Sequence, residues 1–478
     1  MATDMKDPFQ LKETQVSAKT AAGDAIRAIP QHLSQLELVF ETHQAANVLR
    51  TSEVLQECRI LFQDQCLYSG RAVIERMVDA GPRVVCVASL DQASWSHLDF
   101  TSLEGKPGLL AENFQQFYRE VQKYYRLDPK YKLLAADIQI LFNELRLWLD
   151  QVEVGIRSSP SADRLQLERE VGDRLEASIF PPIDELFGRL EQMTAAMEED
   201  LAPAHRTYIK RQLHPHILCS PFAFRTVQKP LGYAGDYEMV NMILRHPHEG
   251  GTLFAKMLNR WFIKQPPAEA HRNRIRYLKE KILEETARGA AAGRQTRIFN
   301  LGCGPAQEIQ DFLVESEATH RTLFTLLDFS EETLNYARQK VEAVQRAHHR
   351  RTSIQFVRKA VTQILKGKSR SAAGSPALQH DFIYCAGLFD YLTDAVCKQL
   401  MDIFYDQLAP GGLLVVTNVD VANPIRHWLA DILEWHLIYR NSGDMERLRP
   451  SQARPEDTRI VADITGVNLF MEVRKPGT

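Results

Sequence analysis

The alternation of apolar and polar positions divides the chain into four stretches. Residues 1–30 are polar and small without an apolar period, which predicts a flexible tail. Residues 31–105 carry short apolar runs separated by glycine turns, a pattern typical of strands, so this stretch predicts a small β-barrel. The runs lie at 36–40, 58–62, 72–74 and 84–88.

Residues 106–285 show the periodicity of helices. Apolar residues recur every three or four positions, first at Phe114 and Phe117 and again at Ile138 and Leu141. Prolines are frequent here, and because proline ends or kinks a helix they predict a series of short helices. These prolines are Pro160, Pro181, Pro182, Pro203, Pro215, Pro221, Pro266 and Pro267.

Residues 286–478 alternate between apolar runs of strand length and amphipathic helical patterns. The alternation predicts βαβ units, and therefore a mostly parallel sheet with helices on both faces. Ligands of such α/β folds bind beyond the carboxyl ends of the strands. The predicted strands are 296–300, 323–327, 354–357, 382–385 and 413–417.

Composition changes this picture little. The chain has 478 residues, of which 44% are hydrophobic and 25% charged, and its formal net charge is −3. These values are typical of globular domains and give no support to nucleic-acid binding. The seven cysteines form no CxxC pair and no run of ~18 apolar residues occurs, so we expect a cytoplasmic protein without a transmembrane segment.

Two features at the start of the α/β domain indicate an adenosine-containing ligand. The first predicted strand leads into a helix through a turn whose glycines let the backbone approach a ligand closely. The turn residues are Asn300, Gly302, Cys303 and Gly304. The second predicted strand ends at Asp328, whose carboxylate can accept hydrogen bonds from both ribose hydroxyls. A dinucleotide-binding Rossmann domain shares these two features.

A Pro-Gly-Gly turn at Pro410, before the fifth strand, completes a set that resembles the class I S-adenosylmethionine-dependent methyltransferases. A dinucleotide-binding domain does not predict that turn. The resemblance implies a Rossmann-like domain with a mostly parallel seven-stranded sheet, preceded by the helical region and the barrel, and it implies S-adenosyl-L-methionine as cofactor. The cofactor contacts that it implies are Asn300, Gly302, Cys303, Gly304, Asp328, Phe329, Ala360, Val361, Ala386 and Gly387.

The sequence departs from the family pattern at two positions. Asn300 stands where an acid is commoner, and Ala306 stands in place of a third glycine. The amide of Asn300 can still hydrogen-bond the methionine amino group, but a negative charge is lost. We therefore expect a weakened affinity for the cofactor.

A segment rich in glycine, proline and aromatic residues precedes the α/β domain around Tyr233. Class I enzymes commonly place a lid or substrate-binding extension there, so residues 106–285 are expected to act as helical linker and substrate lid. Tyr233 and Asp236 are candidate catalytic groups, and Arg225, Tyr233 and Tyr237 are candidate substrate contacts. The alternative is a turn held together by its own side chains.

Three later residues complete the candidates. Arg272 either binds a substrate carboxylate bidentately or lies on a solvated helix face. Trp428 is expected on a helix after the fifth strand, where it either lines an apolar acceptor or packs the core. His436, expected on the same helix, is a candidate base for a hydroxyl or amine acceptor, whereas a carboxylate acceptor needs no base. No histidine shows the spacing of a metal ligand, so no metal is predicted.

The stretch KPLGYAGDYEMVNMI, which begins at Lys229, resembles bacterial extracellular-factor (3-hydroxypalmitic acid methyl ester) biosynthesis methyltransferases. The resemblance implies O-methylation of a small carboxylic or fatty acyl acceptor, with a 3-hydroxy fatty acid methyl ester as a quorum-sensing signal. The alternatives are a methyltransferase for another small metabolite or a protein, and a regulatory protein that binds the cofactor without turnover.

Residues 31–105 are similar to a PilZ-type barrel, whose ligand-binding members bind cyclic di-GMP. No RxxxR arm precedes the first strand, and Asp91 and Ser94 match the D/NxSxxG turn only in part. A structural or dimerising barrel is therefore the favoured interpretation, and we expect a homodimer through the N-terminal region.

Overall fold

The computed structural model describes residues 14–43, 49–62, 65–80, 83–95, 127–160, 163–368 and 379–477. Three of the predictions lie wholly or partly outside these ranges. They concern residues 1–13 of the tail, residues 96–105 of the barrel, and the apolar stripe at Phe114 and Phe117. The described residues form an antiparallel sheet, a helical region and a mostly parallel sheet, in that order along the chain.

The antiparallel sheet contains β1 (Thr14–Lys19), β2 (Ala25–Ala28), β3 (Pro30–Leu33), β4 (Glu37–His43), β5 (Val54–Phe62), β6 (Gln65–Ala80) and β7 (Arg83–Leu90). Their order is β2-β1-β5-β6-β7-β4-β3. Register shifts in β5 and β6 curl the sheet around a core that includes Phe40 and Ile74.

The sheet is open rather than the closed barrel that the sequence predicts. Within the described strands, β2 pairs only with β1, and β3 pairs only with β4. Both of these edge strands are only four residues long, and β3 begins at Pro30, which has no backbone N–H to donate.

The predicted tail is wrong for the residues that form β1 and β2. Val16 and Ala18 alternate with polar residues, and both are buried in the core of the sheet together with Ile26. Only these few apolar positions mark the strands in the sequence. Their pairing with β5, which is distant in the chain, decides their structure.

The helical region contains α1 (Pro129–Arg157), α2 (Arg164–Ala195), α3 (Ala202–Ile217), α4 (Pro221–Gln228), α5 (Tyr237–Leu244), α6 (Leu253–Ile263) and α7 (Pro266–Ala291). The predicted helical periodicity is confirmed at Ile138, which is fully buried in a core shared by several of these helices. No helix in the described ranges is long and apolar enough to span a membrane.

The prolines mark helix boundaries only in part. Pro221 and Pro266 stand in the first turn of α4 and α7, where the missing N–H costs nothing. By contrast, Pro181 and Pro182 lie inside α2, a helix of 32 residues, so the prediction of short helices is wrong there. Burial of neighbouring residues such as Ile179 and Ile183 against the helical core compensates for the lost hydrogen bonds.

The second sheet contains β8 (Thr296–Leu301), β9 (Thr322–Asp328), β10 (Ser353–Arg358), β11 (His380–Cys385), β12 (Leu408–Val419), β13 (Thr458–Ala462) and β14 (Asn468–Arg474). Their order is β10-β9-β8-β11-β12-β14-β13, parallel from β10 to β12 and antiparallel at β14. The prediction of a Rossmann-like, mostly parallel seven-stranded sheet is confirmed.

Helices cover this sheet on both faces, so apolar residues are buried on each side of its strands. These helices are α7, α8 (Gln307–Glu315), α9 (Glu331–Ala347), α10 (Val361–Lys368), α11 (Asp394–Gln407) and α13 (Ser442–Arg447). The helix between the last two, α12 (Arg426–Leu433), packs instead against the helical region.

Buried ion pairs join the antiparallel sheet to the rest of the molecule. Arg206 of α3 lies between Glu75 of β6 and Asp431 of α12, and its Nε is 2.8 Å from the Asp431 carboxylate. Beside this group, Glu434 binds Lys210 at 3.0 Å and Arg71 of β6 at 3.3 Å. The N-terminal sheet is therefore fixed against α3 and the segment that follows β12.

Candidate functional site

A large cavity opens at the carboxyl ends of β8, β9, β11 and β12, where the doubly wound topology predicts a ligand. Its walls also come from the helical region and from a loop of the N-terminal sheet. One half of the cavity is polar and formed by strand ends, and the other half is apolar and formed by helices.

The turn after β8 has the backbone geometry of a ligand cradle. Gly302 and Gly304 have φ values of +74° and +51°, and a Cβ placed on Gly304 would meet no atom within 4 Å. Ala306 has φ +53°, so it adopts the left-handed conformation in place of the third glycine. Gly302, Cys303 and Gly304 all line the cavity, as predicted for cofactor contacts.

A glutamate that the sequence analysis did not select stands beside Asn300. Asn300 is 2% exposed, donates a hydrogen bond of 3.3 Å to Glu308, and leaves its own Oδ1 without a partner among the described residues. Glu308, in the first turn of α8, also accepts a bond of 2.7 Å from Tyr384. Burial raises the pKa of the Glu308 carboxyl, although the Tyr384 hydrogen bond acts against this.

The carboxylate expected at Asn300 is therefore supplied from the helix. Glu308 lines the cavity, so a carboxyl group is present near the glycine turn even though the strand residue is an amide. The expectation of a weakened affinity for the cofactor, which rested on the missing acid at Asn300, stays a prediction. The only signal in the sequence is an acid near the start of a helix, which is common for reasons of helix stability alone.

Asp328 lies at the end of β9 with its carboxylate toward the cavity. It accepts a hydrogen bond of 3.0 Å from the backbone N–H of Ser330, which holds it in place. Burial raises the pKa of Asp328, while the hydrogen bond from Ser330 and the charge of Arg50 act in the opposite direction. The adjacent ring of Phe329 packs against Tyr233, with 5.1 Å between ring centroids.

Of the four remaining predicted cofactor contacts, three line the cavity and one does not. Val361, Ala386 and Gly387 line the cavity. Ala360 does not, because its backbone N–H is turned to the side chain of Gln363 in the first turn of α10.

Arg274 and His271, on α7, are half-buried in the cavity wall. The Arg274 guanidinium donates a hydrogen bond of 2.8 Å to His271 Nδ1, and no carboxylate of the described chain forms an ion pair with it. Burial lowers the pKa of Arg274, although the nearby carboxyl groups of Asp390 and Glu308 act in the opposite direction. Burial also lowers the pKa of His271 well below its usual range, so the imidazole is neutral. A Cβ on Gly387 would lie 2.8 Å from the guanidinium, which explains why glycine stands there.

The selected arginine of this cluster, Arg272, is on the other side of α7. It donates to the carbonyl oxygens of Ile243 at 3.1 Å and Ile263 at 2.8 Å, and it pairs with Glu269. It therefore ties together the ends of two helices and does not line the cavity. The choice between arginines two positions apart depends on the rotation of α7, which the sequence does not reveal.

The segment between α4 and α5 separates into cavity and structural residues. Tyr233 and Tyr237 line the cavity, and the Tyr237 hydroxyl donates to Glu332 at 2.9 Å. Asp236 is 1% exposed, caps the N-terminus of α5 and binds Arg225 through two hydrogen bonds of 2.8 and 3.0 Å. Asp236 and Arg225 thus hold the segment in shape and do not line the cavity.

The apolar half of the cavity lies between α4, α5, α6 and α12. Trp428 lines it and packs against Trp261, with 5.7 Å between ring centroids. Trp435 also lines it, from the segment that follows α12. Because α12 ends at Leu433, the helix expected to carry both Trp428 and His436 is shorter than predicted. The other apolar side chains of this half are Phe222, Met239, Val240, Ile243, Phe262, Ile425, Leu429 and Leu433.

His436 lies outside the cavity, contrary to its selection as a base. Its ring is enclosed between the N-terminal sheet and α3, facing Glu75, Arg206, Lys229 and Glu434. Its backbone N–H bonds Ser52 Oγ in a buried contact. Burial lowers the pKa of His436 to about 3, so the ring is neutral and serves the junction between the two sheets.

We expect the stability of the protein to fall below pH 6.5 because of this residue. An unfolded histidine binds a proton near pH 6.5, whereas the folded His436 does so only near pH 3. The unfolded state therefore binds more protons between these values, and the free energy of unfolding falls by up to about 1.4 kcal/mol per pH unit.

Urea unfolding of the intact protein and of His436→Gln at pH 7 and pH 5 measures this effect. The loss of stability on acidification should be smaller in His436→Gln, whereas His320→Gln, at an exposed position, should behave like the intact protein. Equal losses in all three would show that His436 does not carry the pH dependence.

In the described part of the chain, no group of three or more His, Cys, Asp or Glu side chains is arranged to hold a metal ion. The cysteines of the described residues are free thiols, and Cys303 is the one in the glycine turn. Burial raises the pKa of the Cys303 thiol well above its usual range, so the thiol stays protonated.

No protein-family model and no curated protein matches this chain. Solved structures do resemble it. A possible exported protein from Bordetella parapertussis has 14% sequence identity and a TM-score of 0.40, over 67% of this chain and 100% of the other.

Two named methyltransferases show a weaker resemblance. The N-methyltransferase NodS from Bradyrhizobium japonicum, in complex with S-adenosyl-L-homocysteine, has 16% identity and a TM-score of 0.30, over 50% of this chain and 98% of its own. Magnesium protoporphyrin IX methyltransferase from Synechocystis, also with bound S-adenosylhomocysteine, has 10% identity and a TM-score of 0.33, over 56% of this chain and 99% of its own. Structural similarity at this level does not show a function.

Proposed function

We propose that this protein is an S-adenosylmethionine-dependent methyltransferase that esterifies a carboxylic acid carrying an apolar chain. The observation that carries the proposal is that one cavity holds both apolar walls and the half-buried guanidinium of Arg274, which forms no ion pair within 4 Å among the described residues, although the carboxyl groups of Asp390 and Glu308 are near enough to act on it. The acceptor class follows from these two features together.

The polar half of the cavity fits the cofactor. Gly302 and Gly304 leave room for close approach, Asp328 offers a carboxylate for ribose hydroxyls, and Glu308 with Asn300 offers acceptors for an amino group. The unpartnered Oδ1 of Asn300 is a buried acceptor that such an amino group would satisfy. When bound, S-adenosylmethionine supplies an electrophilic methyl group on a sulfonium.

The apolar half fits an acyl chain. Aromatic and aliphatic side chains form its walls, and such surfaces exclude water from a reacting group. Arg274 lines the same cavity, next to Gly387, which follows β11. Its guanidinium can bind the acceptor carboxylate and hold one of its oxygens toward the methyl group.

A carboxylate acceptor also suits the groups that the cavity provides. Of the predicted bases, Asp236 is paired with Arg225 and His436 lies elsewhere. Burial raises the pKa of Tyr233, so its phenol remains protonated and can only donate a hydrogen bond. A carboxylate is ionised near neutral pH and needs no base. A hydroxyl acceptor would need one, and neutral His271 is then the candidate.

The test is methyl transfer from labelled S-adenosylmethionine to fatty acids of increasing chain length, with and without a 3-hydroxyl. The expected product is a methyl ester, which alkali cleaves to methanol. Alkali-stable methylation would indicate a hydroxyl or amine acceptor, or a protein. Cofactor binding without transfer to any acceptor would indicate the regulatory alternative. A 3-hydroxy fatty acid signal and a structural or dimerising role of the N-terminal sheet stay predictions.

We expect Arg274→Met to lower kcat/KM for a carboxylic acid by about 10²- to 10³-fold, because a buried charged hydrogen-bond pair is lost. The affinity for S-adenosylhomocysteine should change little. The matched control is Arg272→Met, on the same helix but outside the cavity, which should retain kcat/KM.

The cofactor also carries a carboxylate, so a separate measurement must show whether Arg274 binds the carboxylate of the acceptor or that of the cofactor. 5′-Methylthioadenosine lacks the amino acid part of S-adenosylhomocysteine. If Arg274→Met weakens S-adenosylhomocysteine binding but not 5′-methylthioadenosine binding, the guanidinium binds the cofactor, and the assignment to the acceptor is wrong.

A further inference from the structure

The N-terminal sheet contributes two residues, Arg50 and Thr51, to the wall of the cavity. They belong to the turn before β5, far upstream of the glycine turn in the sequence. The Arg50 guanidinium carbon lies 4.1 Å from the centroid of the Phe329 ring. Phe329 follows Asp328 directly, so Arg50 stands over the end of β9, where the ribose carboxylate is presented.

The turn that carries Arg50 is held from both sides. Within the N-terminal sheet, the buried Glu53 accepts hydrogen bonds from the backbone of Arg50 at 3.1 Å and of Ala21 at 2.8 Å. Toward the α/β domain, Thr51 donates to the carbonyl of Tyr391 at 3.2 Å, and Ser52 Oγ lies 3.0 Å from the carbonyl of His436. The backbone position of Arg50 is therefore set by both sheets together.

The surroundings of Arg50 leave its guanidinium available for a ligand. Within the described residues, the guanidinium forms no ion pair, and its contact is the face of an aromatic ring. The ring of Tyr233 also contacts this phenylalanine, at an interplanar angle of 59°, so Arg50, Phe329 and Tyr233 form a cluster next to Asp328. A planar guanidinium fixed in this way can stack on a purine or donate hydrogen bonds to an adenosine.

We propose that Arg50 is a cofactor-binding residue supplied by the N-terminal sheet, and that it contacts the adenosine half of the cofactor. The inference rests on the proposed function, since it requires S-adenosylmethionine as the ligand. It makes the cofactor site composite: the α/β domain supplies the cradle and the ribose carboxylate, and the N-terminal sheet closes the adenosine end. Movement of the sheet would then change cofactor affinity.

Calorimetric titration of the full-length protein with S-adenosylhomocysteine and with 5′-methylthioadenosine tests this assignment. Arg50→Ala should weaken both ligands by about tenfold or more, because both contain the adenosine. Arg50→Lys, which keeps the charge but loses the planar group, should lie between Arg50→Ala and the intact protein. The matched control is Arg59→Ala, an exposed arginine of β5 outside the cavity, which should bind like the intact protein.

Each other outcome has a distinct meaning. If Arg50→Ala binds both ligands as tightly as the intact protein, the inference is overturned. If it binds them more tightly, the inference is also overturned, because Arg50 then competes with the ligand. Failure of the intact protein to bind either ligand would overturn the proposed cofactor as well. Circular dichroism shows whether Arg50→Ala is folded. If it is not, the test relies on Arg50→Lys: a folded Arg50→Lys that binds both ligands as tightly as the intact protein would overturn the role of the planar guanidinium.

Discussion

Asp328→Ala is expected to weaken S-adenosylhomocysteine binding by about 10²- to 10³-fold, because two charge-assisted hydrogen bonds to ribose hydroxyls are lost. The carboxylate is 7% exposed and fixed by the backbone of Ser330, so it offers its acceptors without further ordering. Isothermal titration calorimetry of the purified protein measures the change directly.

Two further variants make this result specific. Glu331→Ala removes an exposed acid only three residues away, which pairs with Arg358, and it should bind the ligand normally. Asp328→Asn keeps the shape of the side chain and should recover part of the affinity, since the amide oxygen still accepts one hydrogen bond. Normal binding by Asp328→Ala would exclude Asp328 as the ribose group and with it the proposed orientation of the cofactor.

Arg206→Ala is expected to lower the free energy of unfolding by about 3–5 kcal/mol, since it leaves two buried carboxylates without their partner. Burial lowers the pKa of the Arg206 guanidinium, but Glu75 and Asp431 outweigh this effect and raise it. These residues come from three parts of the molecule, so their loss should loosen the N-terminal sheet from the α/β domain. Urea unfolding at pH 7 provides the measurement.

A combined variant shows how much of the lost stability comes from unpaired buried charges and how much from the lost contacts of the Arg206 side chain. Replacing all three groups, as Arg206→Met with Glu75→Gln and Asp431→Asn, should restore much of the lost stability because no charge remains buried. An exposed pair, Arg76 with Glu199, offers the control, and Arg76→Ala should cost at most about 1 kcal/mol. A loss in Arg206→Ala no larger than in Arg76→Ala would contradict the role assigned to the buried group.

The predictions for Asp328 and Arg206 both concern the proposed composite cofactor site. If Arg206 holds the N-terminal sheet in place, its removal should also weaken cofactor binding, because Arg50 is carried by the same sheet. The stability of the junction and the affinity of the site are then linked quantities, and the network around Glu434 is part of that link.

The sequence could predict those parts of the site that lie in contiguous segments. The glycine turn and Asp328 follow strands whose apolar runs are easily recognised, and both line the cavity. The sequence could not predict that Asp236 forms an ion pair with Arg225, because that pair depends on how α4 and α5 pack against each other. Nor could it separate Arg274 from Arg272, since both have the same chemistry and only the rotation of α7 distinguishes them.

The sequence by itself determined the α/β domain, its parallel strands and the local conformation of the ligand turn, because apolar periodicity and glycine act over a few neighbouring residues. Only the tertiary structure decided the positions of Arg50, Glu308 and Arg274 in one cavity and of His436 outside it. Those positions depend on contacts between residues far apart in the chain. Such contacts arise from packing of whole elements, and no local pattern in the sequence records them.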